Sequence, residues 1–304
     1  MDVNKILAAI AVAIVLVVAA AVGVITVLDD DPDEENIGEI TISDYRGNVT
    51  LSKYPENIVS LGSSFTEVLF SIGAGEQIVG VDKYSDYPPA ALEKANVGSG
   101  YYLSTEALME LDPDLVICWG YQTETIETLE GLDVPLLVFY PSSLQEIQDV
   151  IIKLGNATGN DDNARDLVNG MQETVDQIDE ALQNVTQEEK PKVYFELRSG
   201  KSVGSGSITD ELIEMAGGIN IYANDSQHPE PKTEYIIDQD PDIIIVEDQH
   251  EMSHQDIASQ AGWDQIDAVQ EDRIYRINGD LVSSNPRVVD ALETFAHWFH
   301  PDLV

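Results

Sequence analysis

The sequence is short of cysteine and of basic residues, and each shortage restricts what the chain can be. Cys118 is the single cysteine of 304 residues, so no internal disulfide forms. Its apolar neighbours mark it as a buried, inert thiol. Lys and Arg number 15 against 56 Asp and Glu, a formal charge of −41. That imbalance makes duplex nucleic acid and anionic lipid surfaces poor partners. The acids are scattered among apolar residues rather than gathered in a tail, which describes a solvated acidic surface suited to a salty medium. Enzyme signatures are missing too. Gly204-Ser205-Gly206-Ser207 lacks the Gly-Lys-Ser/Thr ending of a phosphate loop. There is no Gly-x-Ser-x-Gly elbow, and no local pattern arranges Asp280 with the Ser and His residues into a triad. The chain reads as a non-enzyme with no resident cofactor or metal. His250 and His254 stand four apart, as two ligands on one helical face would, but neighbouring Glu251 completes no zinc signature.

One long hydrophobic run is present. Residues 6–28 are 23 positions without a charge, and Thr26 is their only polar side chain. As a helix they span roughly 35 Å, enough for a hydrocarbon core of about 30 Å. Lys5 precedes the run and six acids follow it between Asp29 and Glu35, which places the N-terminus inside and the rest outside. A cleaved signal peptide is the rival reading; its apolar region is usually about 7–15 residues, shorter than this one. No Cys stands just after the run, which excludes a bacterial-type lipoprotein anchor. Four Asn-x-Ser/Thr sequons, at Asn48, Asn156, Asn184 and Asn224, fit an exported chain.

Beyond the anchor (1–28) and an acidic linker (29–37), the remaining chain is too long for one small core and suits two lobes. Two alternating segments, 39–43 and 49–53, flank Asp44-Tyr45-Arg46-Gly47-Asn48 and predict a leading hairpin. Short apolar runs then predict strands at 58–61, 78–81, 115–118 and 136–139, with helices between them. From 161 to about 187, Leu167, Met171, Val175, Ile178, Leu182 and Val185 recur at three or four and predict one long amphipathic helix. Strands resume at 193–197, 219–222, 243–246 and 274–277. The expected fold is α/β: two Rossmann-like lobes with mainly parallel sheets, 38–160 and 189–304, joined by one long α-helix within 161–188 and preceded by an N-terminal transmembrane helix.

The halves echo one another. Thr105-Glu106 followed by Asp112-Pro113-Asp114-Leu115 recurs 128 residues later as Thr233-Glu234 followed by Asp240-Pro241-Asp242-Ile243. Each copy predicts a Thr-capped helix, a turn at Pro and a strand. A second echo pairs 66–75 with 209–218, each a helix ending in Gly.

Ligands of open α/β sheets bind beyond the carboxyl ends of the strands. In the first lobe those positions hold Ser63, Ser64, Phe65, Tyr84, Asp86, Tyr87, Tyr101, Tyr102, Trp119 and Tyr121. In the second they hold Arg198, Ser199, Asp248, Gln249, His250, Asp280, Ser283 and Ser284. An aromatic rim facing a more polar one suits a bulky ring-bearing ligand.

The segments Asn57-Ile58-Val59-Ser60-Leu61, Gly80-Val81-Asp82, Tyr84-Ser85-Asp86-Tyr87-Pro88-Pro89 and Asp112-Pro113-Asp114, with Gly262-Trp263, Arg273-Ile274-Tyr275, Pro286-Arg287 and His300-Pro301, resemble the periplasmic-binding family of iron-chelate and cobalamin importers. The resemblance runs over about 38–302. It implies ligand capture between two lobes and docking on an ABC permease, with its ATPase, through one glutamate per lobe, here Glu106 and Glu234. Tyr84, Trp119, Tyr101 or Tyr102, and Asp280 resemble corrinoid-contacting positions of the cobalamin-binding members. Pro229-Glu230-Pro231 differs from that pattern, having Glu where a stacking Trp is expected, and the loop 281–285 lacks the expected Arg. A corrinoid is the leading expectation for the cargo; a ferric siderophore or haem would use the same cleft. A membrane-anchored hydrolase and a surface sensor module are the distant alternatives. The free receptor is expected to be monomeric.

Overall fold

The computed structural model describes residues 39–100, 102–248 and 253–304. The expected anchor and linker, Tyr101 and His250 lie outside the described residues. Among the described residues no helix is long and apolar enough to cross a membrane.

The chain opens with an antiparallel hairpin, β1 (Ile40–Ser43) and β2 (Asn48–Leu51). Its turn is tied down by Asp44, whose Oδ1 accepts the backbone N–H groups of Arg46 and Gly47 at 2.8 and 2.9 Å. A five-stranded sheet follows, built from β3 (Ile58–Leu61), β4 (Ile78–Val81), β5 (Ala95–Asn96), β8 (Leu115–Trp119) and β9 (Leu136–Phe139). A small antiparallel pair, β6 (Gly98–Ser99) and β7 (Tyr102–Leu103), stands beside it. The second sheet has four strands: β10 (Lys192–Glu196), β11 (Ile219–Asn220), β12 (Ile243–Glu247) and β13 (Ile274–Ile277). Both sheets are parallel throughout. Their orders are β5-β4-β3-β8-β9 and β11-β10-β12-β13. Each therefore has a point where successive connections turn to opposite sides, between β3 and β8 and between β10 and β12.

The strands read as apolar runs because both faces are covered. Leu115 and Ile117 point into a large central core, while Val116 and Cys118 point into a separate cluster on the outer face. Ile243 and Ile245 against Ile244 and Val246 repeat that division in the second sheet. The covering helices are α1 (Ser63–Ser71), α2 (Thr105–Glu110), α3 (Thr123–Glu130), α4 (Leu144–Thr158), α5 (Asp161–Leu182), α6 (Ile208–Met215), α7 (Thr233–Gln239), α8 (His254–Ala258), α9 (Asp267–Gln270) and α10 (Val288–Phe299).

The long helix α5 has 22 residues, about 33 Å. Ala164, Met171, Val175 and Ile178 form its buried stripe. It packs on α4, which follows the first sheet, and on α10, which follows the second. It stops at Leu182, short of the expected 187. Thr186 takes over the chain there: with Glu189 it forms a reciprocal capping box that starts a short 3₁₀ turn, and that turn competes with further α-helix.

The internal repeat is visible in the backbone. Asp112 and Asp240 both adopt φ of 46°, a left-handed conformation that Asp tolerates better than most residues. Two residues on, Asp114 accepts the backbone N–H groups of Glu56 and Asn57, both at 2.9 Å, and Asp242 accepts that of Lys192 at 2.7 Å. Each aspartate thus pins the segment leading into the neighbouring strand. Two expectations need correction. Thr105 and Thr233 are the first helical residues and not the caps; Ser104 caps α2, accepting the Ala107 N–H at 3.3 Å, and Lys232 precedes α7 with no side-chain cap. The second echo is also displaced by one position. The helix-ending bonds Ala74 N–H to Leu69 O and Gly218 N–H to Ile213 O, each 2.8 Å, match Gly73 with Gly217, both at positive φ.

Candidate functional site

The site grows from the two switch points. Trp119 is the last residue of β8, and its indole packs against Gly62, where any Cβ would overlap Trp119 Nε1. Glycine is required there because a ring and a main chain share the space. Phe65, 1% exposed, supports the indole from below with ring centroids 4.5 Å apart. Tyr121 stacks on Trp119 at 5.5 Å with ring planes 21° apart.

In the second half, Glu247 closes β12 and its Oε2 accepts the Arg198 N–H at 2.7 Å. Gly279, after β13, lets this carboxylate approach: a Cβ there would stand 3.1 Å from Glu247 Cδ. Between these two edges lies a cavity of about 240 Å³. Trp119, Tyr140 and Pro141 wall it on one side, and Leu197, Ser207, Thr209, His228, Glu247 and Ser283 on the other. The Gly204–Ser207 stretch ends here as the cap of α6, with Ser207 Oγ accepting the Asp210 N–H at 3.2 Å.

A narrower recess of about 20 Å³ shares Ser283 with the cavity and reaches Ser63, Ser64, Asp86, Tyr87 and Asp280. Its floor is a two-bond ion pair across the halves. Arg287 Nε donates to Glu67 Oε1 at 2.7 Å and Nη2 to Oε2 at 2.8 Å. Arg287 also covers the Tyr87 ring at 4.0 Å from its centroid. The hydrogen-bonded Glu67 holds the guanidinium above even its ordinary high pKa. A second carboxylate crosses in the opposite sense: Glu211 on α6 accepts the Leu144 N–H at the start of α4, at 2.8 Å. Burial raises the Glu211 pKa above the usual carboxylate range.

The loop that presents Tyr84 and Tyr87 is anchored from within. Ser85 Oγ donates to Asp82 Oδ1 at 2.6 Å and lies 2.9 Å from Thr66 Oγ1, which reaches Ser60 Oγ at 2.8 Å. Burial raises the Asp82 pKa.

Trp119 lines the cavity, and Ser64 and Asp280 line the recess. Phe65 lies beneath the indole rather than at the surface. Tyr84 is exposed with Lys83 Nζ 4.7 Å from its ring centroid, and Tyr102 projects from β7; neither lines the cavity or the recess. Arg198 is exposed beside Leu197 at the rim. Glu106 and Glu234 are exposed on the first turns of α2 and α7. These helices run back along the sheets before β8 and β12, so both glutamates lie toward the edge on which the cavity opens. Tyr140, Thr209 and the Glu67–Arg287 pairing were not expected from the sequence. Tyr140 had a usable signal, since it follows β9 just as other candidates follow their strands.

A larger cavity, about 360 Å³, is bounded by Glu39, Lys53, Pro55, Asp114 and Pro135. It lies at the amino ends of β3, β8 and β9, the edge that open parallel sheets do not use for ligands, so its size does not make it the site. Among the described residues no group of three His, Cys, Asp or Glu side chains is placed to hold a metal. His254 Nε2 is 2.8 Å from Asp272 Oδ1.

Comparison with known proteins adds sequence and fold relationships. The periplasmic binding protein family matches residues 58–281, well over half of the chain. An uncharacterised ABC transporter substrate-binding lipoprotein of Bacillus subtilis is 27% identical over 273 residues, 86% of this chain and 86% of that protein. A vitamin B12-binding protein of Vibrio cholerae is 29% identical over 250 residues, 78% of this chain and 87% of that protein. Among solved structures, a periplasmic haem-binding protein from Roseiflexus is similar with a TM-score of 0.72 at 27% identity, covering 81% of this chain and 98% of that one.

Proposed function

The chain belongs to the periplasmic binding protein family, and from that premise we propose that it is the extracytoplasmic solute-binding component of an ABC importer with a corrinoid as its cargo. The reading rests above all on the cavity of about 240 Å³ between the carboxyl edges of the two sheets. One wall is aromatic, led by Trp119; the other carries hydroxyl, imidazole and carboxylate groups. Such a pair of walls suits a macrocycle with apolar faces and a polar rim.

In this reading the sheets form two lobes, 38–160 and 189–304, joined through 161–188. Trp119 stacks on the ligand. Tyr84, Tyr101 and Tyr102 form the outer lip of the first lobe, with Ser64 and Phe65 supporting it. Arg198, His250 and Asp280 bond the rim of the ligand from the second lobe. Glu106 and Glu234 make a two-point contact with permease arginines. Residues 6–28 hold the receptor at the membrane with its lobes outside, and the free receptor is a monomer.

The likeness to a vitamin B12-binding protein supports the corrinoid. Haem or a ferric siderophore is the second reading. Glu230, held by Lys201 at 3.4 Å, replaces a stacking aromatic, and the likeness to a haem-binding protein points the same way. The test is to titrate the full chain with cobalamin, haem and ferric siderophores while following tryptophan fluorescence. Cobalamin is expected to saturate the signal, and Trp119→Phe to remove most of the quenching, since Trp263 and Trp298 lie outside the cavity. Silence toward cobalamin with saturation by haem or a ferric chelate would replace the first reading with the second.

A further inference from the structure

Four aromatic rings run out of the cleft in unbroken contact. Trp119 stacks on Tyr121, Tyr121 meets Tyr140 edge-on at 6.0 Å, and Tyr140 meets Tyr45 edge-on at 6.2 Å. Rings in mutual contact normally bury themselves, yet Tyr121, Tyr140 and Tyr45 are 47%, 43% and 65% exposed. Their positions are fixed by the backbone. The turn of the leading hairpin docks on β9, with Tyr45 N–H donating to Val138 O at 2.8 Å and Val138 N–H to Asp44 Oδ2 at 2.9 Å. Arg46 Nη2 adds a bond to Leu136 O at 2.6 Å. Gly120 then makes room, since a Cβ there would stand 3.2 Å from Tyr140 Cβ and 3.3 Å from Tyr45 Cδ1. A second compartment, about 150 Å³, lies beyond Tyr140 and is lined by Tyr45, Glu146, Asp149 and Lys153. It meets the cleft cavity at Tyr140 and Pro141, which line both.

We propose that the ligand site continues onto this shelf, and that Tyr45 and Tyr140 take a heteroaromatic arm that projects from the cargo while the cleft holds its macrocycle. The inference rests on the corrinoid reading above. The shelf offers tyrosine faces to stack a flat ring, and the Lys153 ammonium and the tyrosine hydroxyls to bond acceptors on that arm. Its continuity with the cleft through shared residues makes the cargo itself the occupant, rather than a separate partner.

The test compares cobalamin, which carries a benzimidazole nucleotide arm, with cobinamide, which lacks it. Both are titrated calorimetrically into the full chain and into Tyr45→Ala, Tyr140→Ala and the double variant. Tyr45→Ala, which removes a ring that lines only the shelf, lowers affinity for cobalamin about tenfold with affinity for cobinamide unchanged, whereas Tyr140→Ala, which also removes part of the cleft wall, weakens both and cobalamin more. Tyr45→Phe, which keeps the ring, restores most of the loss, and unchanged thermal unfolding of Tyr45→Ala excludes a folding defect. If the variants bind cobalamin as the parent does, or lose both ligands equally, the shelf is overturned and the corrinoid reading stands. If the parent binds neither corrinoid, the cargo assignment falls and the shelf with it.

Discussion

Arg287 and Glu67 are 220 residues apart in sequence and share two hydrogen bonds. Glu67 is only 3% exposed, so its charge depends on this partner. Arg287→Ala would strand a buried carboxylate, and chemical denaturation is expected to show a loss of about 3 kcal/mol. Arg287→Ala combined with Glu67→Gln should recover much of it. A single variant as stable as the parent would show that the pair contributes nothing. No local pattern announces this contact. Arg287 was readable as a cation in the second half, and Glu67 as the single charged residue of α1, but pairing them required knowing that α1 and the start of α10 face each other. Trp119 and Asp280 were legible for the opposite reason, because a residue at the carboxyl end of a parallel strand has few places to go. Phe65, the third residue of α1, follows the same strand-end rule but turns inward, beneath the indole.

At the scale of elements, the register set by the helix-ending bonds makes Glu67 on α1 and Glu211 on α6, 144 residues later, equivalent positions of the repeat. Leu144 opens α4 and Val288 opens α10 at the same spacing. Each carboxylate reaches the beginning of the helix that follows the other sheet: Glu211 bonds the Leu144 N–H, and Glu67 bonds Arg287 just before Val288. The two contacts are a reciprocal pair inherited from the repeat. The repeat's strands and Asp-Pro-Asp turns were legible because burial on both faces and a left-handed aspartate leave strong marks. The displaced second echo was not, since glycine matching without hydrogen bonds leaves its register free by one. The other pair at equivalent positions, Glu106 and Glu234, is predicted to act on a permease. Reversing both to Lys should abolish uptake in cells while leaving ligand affinity unchanged. Uptake that survives the double reversal would remove the docking role.

For the whole molecule the dominant fact is the excess of 56 acids over 15 bases. Like charges spread over one surface repel, and salt relieves them; the screening length falls from about 10 Å at 0.1 M to about 3 Å at 1 M. The melting temperature is expected to rise by several degrees over that range in potassium chloride. A flat or falling temperature would show that the charges are too dispersed to matter. Acidification acts in the same direction. Asp82, Asp210 and Glu211 all have pKa values raised by burial, so the folded state holds more protons than the unfolded one just above the ordinary carboxylate range. Their contribution is complete below that range and is lost as pH rises through the raised values. Stability should therefore increase as pH falls through the raised values toward the ordinary carboxylate range, measurable by urea unfolding at each pH.

Cys118 sits fully buried in the cluster on the outer face of the first sheet, its thiol pKa pushed up to about 12 by desolvation. A chain whose solitary sulfhydryl is sealed from solvent is a blank background for spectroscopy. Cysteines placed at Asp86 and His228, exposed on opposite banks of the cleft, would accept one dye each with no third site competing. Energy transfer between them would turn the loading of cargo into a distance, followed one molecule at a time.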